Sequence, residues 1–541
     1  MKTAKKLLSL LLVFAIILLT AAMPVSAASK VDPSEGPMQK LESVLYMMLD
    51  KLVMIVGKVL NKVIPGLDWS NIWQNYDDYQ TPDTFYAGEE RFETEVDPSA
   101  SWSAGYSYGS LLEGLDITNG EYFMAGSLQA VSGKKPTGVL DDQGVNVYAV
   151  SDGVSGIVVQ AVVDGYGLAR GDVLKIREKL SAFAKENDII SINISTLHQH
   201  SLIDTLGMGV ALLPALVLNP GMNVTGMDKS NLTSGKTEKF MNNLYEVVTA
   251  TVIEAVNDMQ EGTLYYGSAD VSDLIHDKRK PEAFDGELHR FRFDPADEAE
   301  NEIWLCEAGI HCTGFGSDDY EISSDFPYYF KEYVKETTGA DVVYVQGAEL
   351  AIGKEDKNVE DFGTGKNAEV KGYGIELAKR AIAIDNEQEL APVINVSLTE
   401  VAVTADNPVL TLAVREGIVD PVTTKNGSEL TIITEVGYME LGNKIGIAMI
   451  PGEIAPEILW GGVVSKEESW TNQSWDYAPM KDTAKIDKLI CFGLNNDQIG
   501  YILADNDIRS MFTENEEINA SARNVGSVIT KAFEGLVSSV K

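Results

Sequence analysis

Two histidines separated by a single residue are the first feature of this sequence that could do chemistry. The chain has five histidines among 541 residues, and His198 and His200 lie where an apolar strand runs into a polar turn. Because alternate positions on a strand face the same side, both imidazoles are expected to point into one volume. One imidazole could then ligate a metal ion while its neighbour acts as an acid or a base. A pair of solvent-exposed loop histidines is the alternative interpretation.

Two further side chains that could ligate a metal follow apolar segments. His311 ends an apolar strand predicted over residues 303–310, at the kind of sheet rim where α/β folds place their sites. Glu453 follows the break at Pro451-Gly452 after another apolar strand, which would hold its carboxylate at a sheet edge. A buried structural histidine and a solvent-exposed turn glutamate are the respective alternatives, and the local sequence does not decide between them.

The elements that must position these side chains follow an α/β pattern. Between about residue 100 and residue 353, apolar runs alternate with helical periodicity, which favours an α/β sandwich with a largely buried sheet. Strands are predicted at 144–148, 156–163, 189–194, 304–310 and 342–346, and helices at 170–186, 240–260, 325–335 and 368–388. The predicted fold class is a mixed-sheet α/β sandwich flanked by helices, with a strand-rich C-terminal part over residues 393–450.

The first 68 residues are predicted to lie outside the main domain. Residues 1–27 combine a lysine-rich start, an apolar run and a small-residue cleavage site, which is the layout of a secretory signal peptide. The protein is therefore expected to be secreted or extracellular. Residues 28–68 hold a linker and an extra amphipathic helix over 38–64. That helix could dock on the domain, form a dimer contact or lie against a lipid surface, because its polar face carries four lysines.

Composition limits the partners and the redox chemistry. With 81 acidic and 43 basic residues the formal charge is −38, which repels nucleic acid and argues against a nucleic-acid partner. Three cysteines are too few for a disulfide framework in a secreted chain of this size, and they are expected to be buried thiols, with one disulfide left open. The remaining histidines, His276 in a charged turn and His289 beside two arginines, are expected at the surface.

Several segments, taken in chain order, resemble motifs of the neutral, non-lysosomal ceramidases. The matching segments are Leu197–Ser201, which resembles THTHS, Gly309–His311 with Ser324-Asp325, the strand end Pro451-Gly452-Glu453, Gly493–Asn496 continuing to Tyr501, and, more weakly, Arg279-Lys280-Pro281. The resemblance covers roughly residues 85–510. It assigns residues 69–514 to a ceramidase-like catalytic domain, followed by a helical tail over 515–541.

The resemblance implies a zinc ion bound by His198, His311, Glu453 and Tyr501. Nothing in the local sequence indicates the tyrosine by itself. His200 and Arg279 would contact the substrate amide or its tetrahedral intermediate, the first protonating the leaving amine and the second stabilising the oxyanion. The implied activity is hydrolysis of an N-acyl amide bond, with ceramide or a related lipid amide as the leading substrate. Contact with a membrane surface through residues 38–64 would fit such a substrate.

Three departures from the family pattern separate this chain from a typical ceramidase. Gly353 stands about where the family has a serine, so a serine-based covalent route lacks a residue and attack by metal-activated water is the predicted route. Residues 201–204 replace the glycines that follow THTHS, and the family's C-terminal β-sandwich domain is expected to be missing. Two alternatives therefore stay open: a catalytically inactive binding protein with this fold, and a hydrolase of a non-lipid amide or ester.

Overall fold

The computed structural model describes residues 74–125, 133–209, 234–316, 319–355, 359, 365–415, 417–427, 429–508 and 517–541. The predicted signal peptide, linker and amphipathic helix, residues 1–68, lie outside these ranges. Within the described part of the chain, no helix combines the length and apolar character that crossing a membrane requires.

The described residues form eight α-helices and twenty strands. The helices are α1 (Arg170–Glu186), α2 (Glu238–Asn257), α3 (Asp325–Thr338), α4 (Lys366–Ile382), α5 (Pro408–Arg415), α6 (Pro456–Trp460), α7 (Met480–Ala484) and α8 (Val525–Val540). The strands are β1 (Trp102–Ser110), β2 (Gly138–Val139), β3 (Gly144–Ser151), β4 (Ile157–Val163), β5 (Ile189–Thr196), β6 (Gln260–Asp270), β7 (Ile275–Asp277), β8 (Glu287–Pro295), β9 (Ile303–Ala308), β10 (Glu321–Ile322), β11 (Asp341–Gln346), β12 (Ile352–Lys354), β13 (Gln388–Glu389), β14 (Ile394–Thr404), β15 (Thr423–Asn426), β16 (Glu429–Leu441), β17 (Ile445–Met449), β18 (Glu453–Ile454), β19 (Lys488–Phe492) and β20 (Tyr501–Ile502).

Two mixed sheets form the centre of the molecule. The larger sheet has nine strands in the order β11-β9-β8-β6-β1-β3-β4-β5, with β13 also paired to β6. The second sheet has five strands in the order β14-β16-β17-β19, with β15 also paired to β16. Most neighbours are antiparallel, but β4 with β5, β9 with β11 and β17 with β19 are parallel. Because parallel neighbours end at the same edge of a sheet, each of these pairs brings two strand-end loops together.

Alternating side chains on the strands separate the apolar core into layers. On β3, Val145 and Val147 belong to the cluster formed with α1 and α2, whereas Tyr148 belongs to the cluster that also contains the second sheet. On β16, Met439 joins that shared cluster, and Val436 joins the cluster formed with α8. This period of two is what a strand with both faces buried requires. Around these two strands the order is α1 and α2, the larger sheet, the second sheet and α8, while α3 and α4 also pack in the shared cluster.

A buried group of charges ties α1 to the second sheet. Glu435 on β16 accepts hydrogen bonds from Arg177 at 2.7 and 3.1 Å and from Arg170 Nε at 3.1 Å. All three side chains are inaccessible to solvent. Although burial acts to raise it, the two guanidinium groups lower the pKa of Glu435, so that the carboxylate is ionised. The backbone amide of Arg170 also donates to Asp497 at 2.9 Å.

The predicted fold class is confirmed, with differences at the ends of elements. Helix α1 has the predicted bounds, and the five strands predicted between residues 144 and 346 are all present. Helix α2 ends at Asn257, three residues before the predicted end, because β6 begins at Gln260. Helix α4 ends at Ile382 and leaves room for the short strand β13.

Candidate metal centre

His198 lies two residues beyond the end of β5 in an uncommon backbone conformation. Its φ is +58°, in the left-handed region, so the strand alternation expected for the two histidines does not hold at this point. Its Nδ1 is 2.7 Å from the carbonyl oxygen of Tyr166, which can only accept a hydrogen bond. The proton of neutral His198 is therefore on Nδ1, and Nε2 keeps the free lone pair that a metal needs.

His198, His200 and His311 lie together, although the strand alternation expected for His198 and His200 does not hold. The Nε2 atoms of His200 and His311 are 3.1 Å apart, and the ring centroids of His198 and His311 are 4.8 Å apart. The ring of Tyr166 packs against His198 at 4.2 Å and against His200 at 4.9 Å between centroids. His198 and His311 are buried, whereas His200 is partly exposed, which puts His200 on the solvent side of the cluster.

Glu453 reaches the same cluster from the second sheet. Its Oε1 lies 3.5 Å from Nε2 of His198, and both side chains are buried. Gln498 donates a hydrogen bond of 2.8 Å to the same oxygen, which orients the carboxylate. After β17 the backbone leaves the second sheet and then pairs again as β18. This places Glu453, the first residue of β18, at the cluster.

Tyr501 is the backbone partner of Glu453. The two residues are opposite each other in the parallel pairing of β18 with β20, and Tyr501 is buried. The structure therefore brings the predicted tyrosine next to the predicted glutamate, although they are far apart in sequence. Ligation of a metal by its phenolic oxygen stays a prediction.

The loops after the parallel strands are fastened to one another at this edge. Gln346 is the last residue of β11, and its side-chain amide donates a hydrogen bond of 2.9 Å to the carbonyl of Ile310, the residue before His311. The same amide lies 3.3 Å from the carbonyl of Leu197, the residue before His198. Asn496 exchanges hydrogen bonds with Ile194 of β5 at 2.7 and 2.8 Å. These contacts join β5, β9, β11 and β19, and so fix the positions of side chains from separate segments.

Close backbone contact at the same edge requires glycine. A Cβ on Gly493, directly after β19, would lie 2.4 Å from the carbonyl oxygen of Gly347, directly after β11. Such a contact is shorter than any that a side chain could tolerate. The two loops can therefore approach each other here only because residue 493 is a glycine.

The environment keeps the three imidazoles neutral. Burial lowers the pKa of His198 and of His311 well below the usual range, and the neighbouring imidazoles lower both further. Burial and the positive charge of Lys278 lower the pKa of His200 to about 4. Neutral imidazoles carry a free lone pair, which is the form that binds a metal ion.

The residues present fit a zinc ion. Ligand atoms of His198, His200 and His311 all lie within 4.8 Å of one another, and so do those of His198, Glu349 and Glu453. Imidazole nitrogens and carboxylate oxygens are ligands that zinc prefers in catalytic sites. Both groups contain His198. His311, Glu453 and Tyr501 all belong to this part of the structure, as the resemblance implies.

Arg279 is buried and ion-paired. Its Nη2 is 2.7 Å from Asp507, and its Nη1 is 3.5 Å from Glu517. Within the described residues, its Nε and Nη1 have no hydrogen-bond acceptor. The contact between this arginine and a substrate therefore stays a prediction, and the ion pairs are the contacts that hold it in place.

Glu349 is the functional candidate that the sequence analysis missed. It lies in the turn after β11 and is completely buried. Burial raises its pKa well above the usual range, and the nearby charge of Glu453 raises it further. The sequence places Gly353 about where the family has its serine, but Gly353 lies in β12 and pairs with His276 of β7. Glu349 is the residue of the preceding turn that joins the metal-binding groups. An acidic residue within the otherwise apolar segment 348–352 was the signal that could have revealed it.

The other histidine and cysteine predictions have mixed outcomes. His289 is fully buried on β8, where it contacts Tyr266 at 2.8 Å and Asp285 at 3.1 Å, so its expected surface position is wrong. His276 is exposed, as expected. Asp285, Glu287 and His289 form another group with metal-binding geometry, but Lys488 already pairs with both carboxylates. All three cysteines are buried and free, as expected.

Comparison with known proteins places the fold. No protein-family model matches the sequence, and no curated protein sequence matches it. The structure is similar to that of neutral ceramidase from Pseudomonas aeruginosa, with a TM-score of 0.60 and 13% identity, over 81% of this chain and 74% of that chain. It is also similar to a structure of ceramidase complexed with C2, with a TM-score of 0.58 and 12% identity, over 81% of this chain and 75% of that chain. This chain therefore has the fold of the neutral ceramidases, as its sequence motifs predict.

Proposed function

We propose that this protein is a secreted zinc-dependent amidohydrolase that cleaves an N-acyl amide bond. The leading substrate is a ceramide-like lipid amide, whose hydrolysis gives a fatty acid and a long-chain amine. The observation that supports this most is the meeting of neutral histidines and carboxylates from both sheets at one buried edge. The fold shared with neutral ceramidases supports the choice of an amide bond.

His198, His311, Glu453 and Tyr501 would hold the metal ion in this proposal. Zinc bound there would polarise the amide carbonyl and lower the pKa of a water molecule. The hydrogen bond that His198 donates to the carbonyl oxygen of Tyr166 and the one that Glu453 accepts from Gln498 keep the ligating atoms of His198 and Glu453 oriented.

His200 is proposed as the group that moves the proton. Its low pKa leaves it unprotonated at neutral pH, so it can accept the proton released as water adds to the carbonyl carbon. It would then deliver that proton to the leaving nitrogen, and its position on the solvent side of the cluster gives it access to substrate. Arg279 would stabilise the carbonyl oxygen as negative charge develops on it.

Secretion and membrane contact belong to the same proposal. The signal peptide predicted over residues 1–27 would export the protein, and the amphipathic helix predicted over 38–64 would bring it to a lipid surface. A lipid amide has its scissile bond near such a surface, so the helix would shorten the path of the substrate to the metal centre.

The test combines metal content with hydrolysis by the purified protein. We expect about one zinc per chain by elemental analysis, and release of fatty acid from ceramide in mixed micelles. His198→Ala and Glu453→Gln should each lower hydrolysis by at least about 100-fold, because Lewis-acid stabilisation contributes several kcal/mol. His276→Ala is the matched control, since this histidine is exposed, and it should keep full activity.

The outcomes separate the competing functions. Wild-type protein without a bound transition metal would reject the proposal and favour an inactive binding protein. A zinc-loaded protein that leaves ceramide intact and cleaves water-soluble N-acyl amides or esters would reject only the lipid substrate. Deletion of residues 38–64 should weaken binding to lipid vesicles, and unchanged binding would reject the membrane role of this segment.

A further inference from the structure

Glu349 is a buried carboxylate in the metal centre to which the family resemblance gives no role. It lies three residues beyond the end of β11, between Ala348 and Leu350, and none of its surface reaches solvent. Both neighbours are apolar and buried. A glutamate in such surroundings is costly unless a partner compensates its polar oxygens.

One oxygen of Glu349 has a partner and the other does not. Oε2 accepts a hydrogen bond from the side-chain amide of Gln346. Oε1 is buried and has no hydrogen-bond partner among the described residues. An unpartnered buried carboxylate oxygen is uncommon in folded proteins and requires an explanation.

The position of Glu349 supplies that explanation. Its carboxylate, that of Glu453 and an imidazole nitrogen of His198 offer ligand atoms within 4.8 Å of one another. Two carboxylates that approach each other in a buried site repel unless one of them takes up a proton or a cation lies between them.

We propose that Glu349 is a further ligand of the metal ion, supplying its Oε1 to the same centre as His198 and Glu453. This inference rests on the metal centre of the proposed function and extends its ligand set. The carboxylate comes from the loop between β11 and β12, shortly before Gly353, which stands about where the resembled family has its serine. With Glu349 as a ligand, the centre carries more negative charge than two histidines, one glutamate and one tyrosine would give.

The decisive comparison is between Glu349→Gln and a matched variant. Glutamine has the shape of a protonated glutamic acid, so it should replace Glu349 without effect if this residue is only a neutral buried acid. If Glu349 is a ligand, zinc affinity measured by competition with a chromophoric chelator should fall by at least about 10-fold, since even outer-shell changes cost 10- to 100-fold. Glu307→Gln is the control, because Glu307 is a buried acid on β9 outside the groups that contain His198. Its zinc affinity should equal that of the wild type.

A second measurement keeps the inference testable if the variant fails to fold. In a crystal structure of zinc-loaded wild-type protein, anomalous scattering should place the ion about 2.0–2.2 Å from a carboxylate oxygen of Glu349. An ion bound by His198 and Glu453 with Glu349 out of reach would overturn the inference while leaving the proposed function intact. Equal zinc affinity of Glu349→Gln and wild type would overturn it in the same way, whereas wild-type protein that binds no zinc would reject both.

Discussion

His198 shows how strongly the fold constrains individual residues at this site. A non-glycine residue with positive φ costs roughly 1–3 kcal/mol, and such residues gather where a structure has a functional constraint. Ala351, Leu494 and Asn496, in neighbouring loops of the metal centre, also have positive φ, at +65°, +47° and +63°. The hydrogen bonds of the surrounding loops compensate for this strain, which indicates that the side-chain geometry is imposed by the scaffold.

Tyr501 allows a direct test at the level of one atom. Tyr501→Phe removes only the phenolic oxygen, and if that oxygen ligates zinc we expect the affinity for zinc to fall by at least about 10-fold with little change in folding. Chelator competition measures the affinity. Tyr148→Phe is the control, because the Tyr148 hydroxyl is buried and has no hydrogen-bond partner in the described structure. Equal zinc affinity in the two variants would exclude the phenol as a ligand.

The site residues differ in how far the sequence could identify them. His198, His311 and Glu453 were candidates from their side-chain types at the ends of apolar strands, and the structure brings them together. Tyr501 emerged only through the resemblance, because its position depends on the pairing of β18 with β20, which is not visible in local sequence. Glu349 was missed because one acidic residue in a turn is ordinarily solvated, and only the packing of the two sheets buries it.

Elements with clear periodicity were the most predictable part of the fold. Helix α1 buries Val173, Ile176 and Leu180 at helical spacing, so its bounds follow from the pattern, although charged residues such as Arg170 and Arg177 are buried with them. Strand β8 was harder, because it pairs on both sides, with β6 and β9, and buries His289 and Arg290 among charged partners. A polar residue in a strand ordinarily predicts a solvent-exposed side chain. In β8, ion pairs with acidic residues of other segments allow His289 and Arg290 to be buried instead.

Asp141 makes the junction before α3 sensitive to pH. Its carboxylate accepts hydrogen bonds from Ser323 Oγ at 2.7 Å and from the backbone amide of Ser324, the residue preceding the helix. Burial raises the pKa of Asp141 to about 7 despite these donors. The unfolded chain, with an ordinary aspartate pKa of about 3.9, loses the proton first as pH rises. The contribution of this group to stability is therefore fully present at low pH and is lost as pH rises towards 7.

Asp141→Asn tests this pH dependence. We expect the wild type to lose up to about 1.4 kcal/mol of unfolding free energy per pH unit through this group between pH 4 and pH 7, and the variant to lack that component. The measurement is the midpoint of urea unfolding at several pH values, compared between variant and wild type. Asp116→Asn, at an exposed aspartate, should leave the slope unchanged. A slope of Asp141→Asn equal to that of the wild type would contradict the assignment.

At the scale of the whole molecule, the metal centre depends on how the two sheets are held together. The histidines follow strands of the larger sheet, and Glu453 follows the second sheet. The buried triad of Arg170, Arg177 and Glu435 crosses the same boundary. This buried triad also contacts the candidate metal centre, because the backbone amide of Arg170 donates a hydrogen bond to Asp497. Asp497 precedes Gln498, whose side chain orients Glu453.

Glu435→Ala should consequently weaken both the fold and the metal centre. Removing the shared carboxylate leaves the buried Arg177 without its counter-charge and Arg170 with Glu400 alone, and breaking a buried ion pair in this way typically costs about 3–5 kcal/mol. We expect a clearly lower unfolding temperature by calorimetry, together with weaker zinc binding. Glu246→Ala removes an exposed partner of Lys179 between α1 and α2, and should cost less than about 1 kcal/mol. If both variants unfolded at the wild-type temperature, the triad would not be what joins the layers, and the alignment of the ligands would have to come from the loop contacts of Gln346 and Asn496 alone.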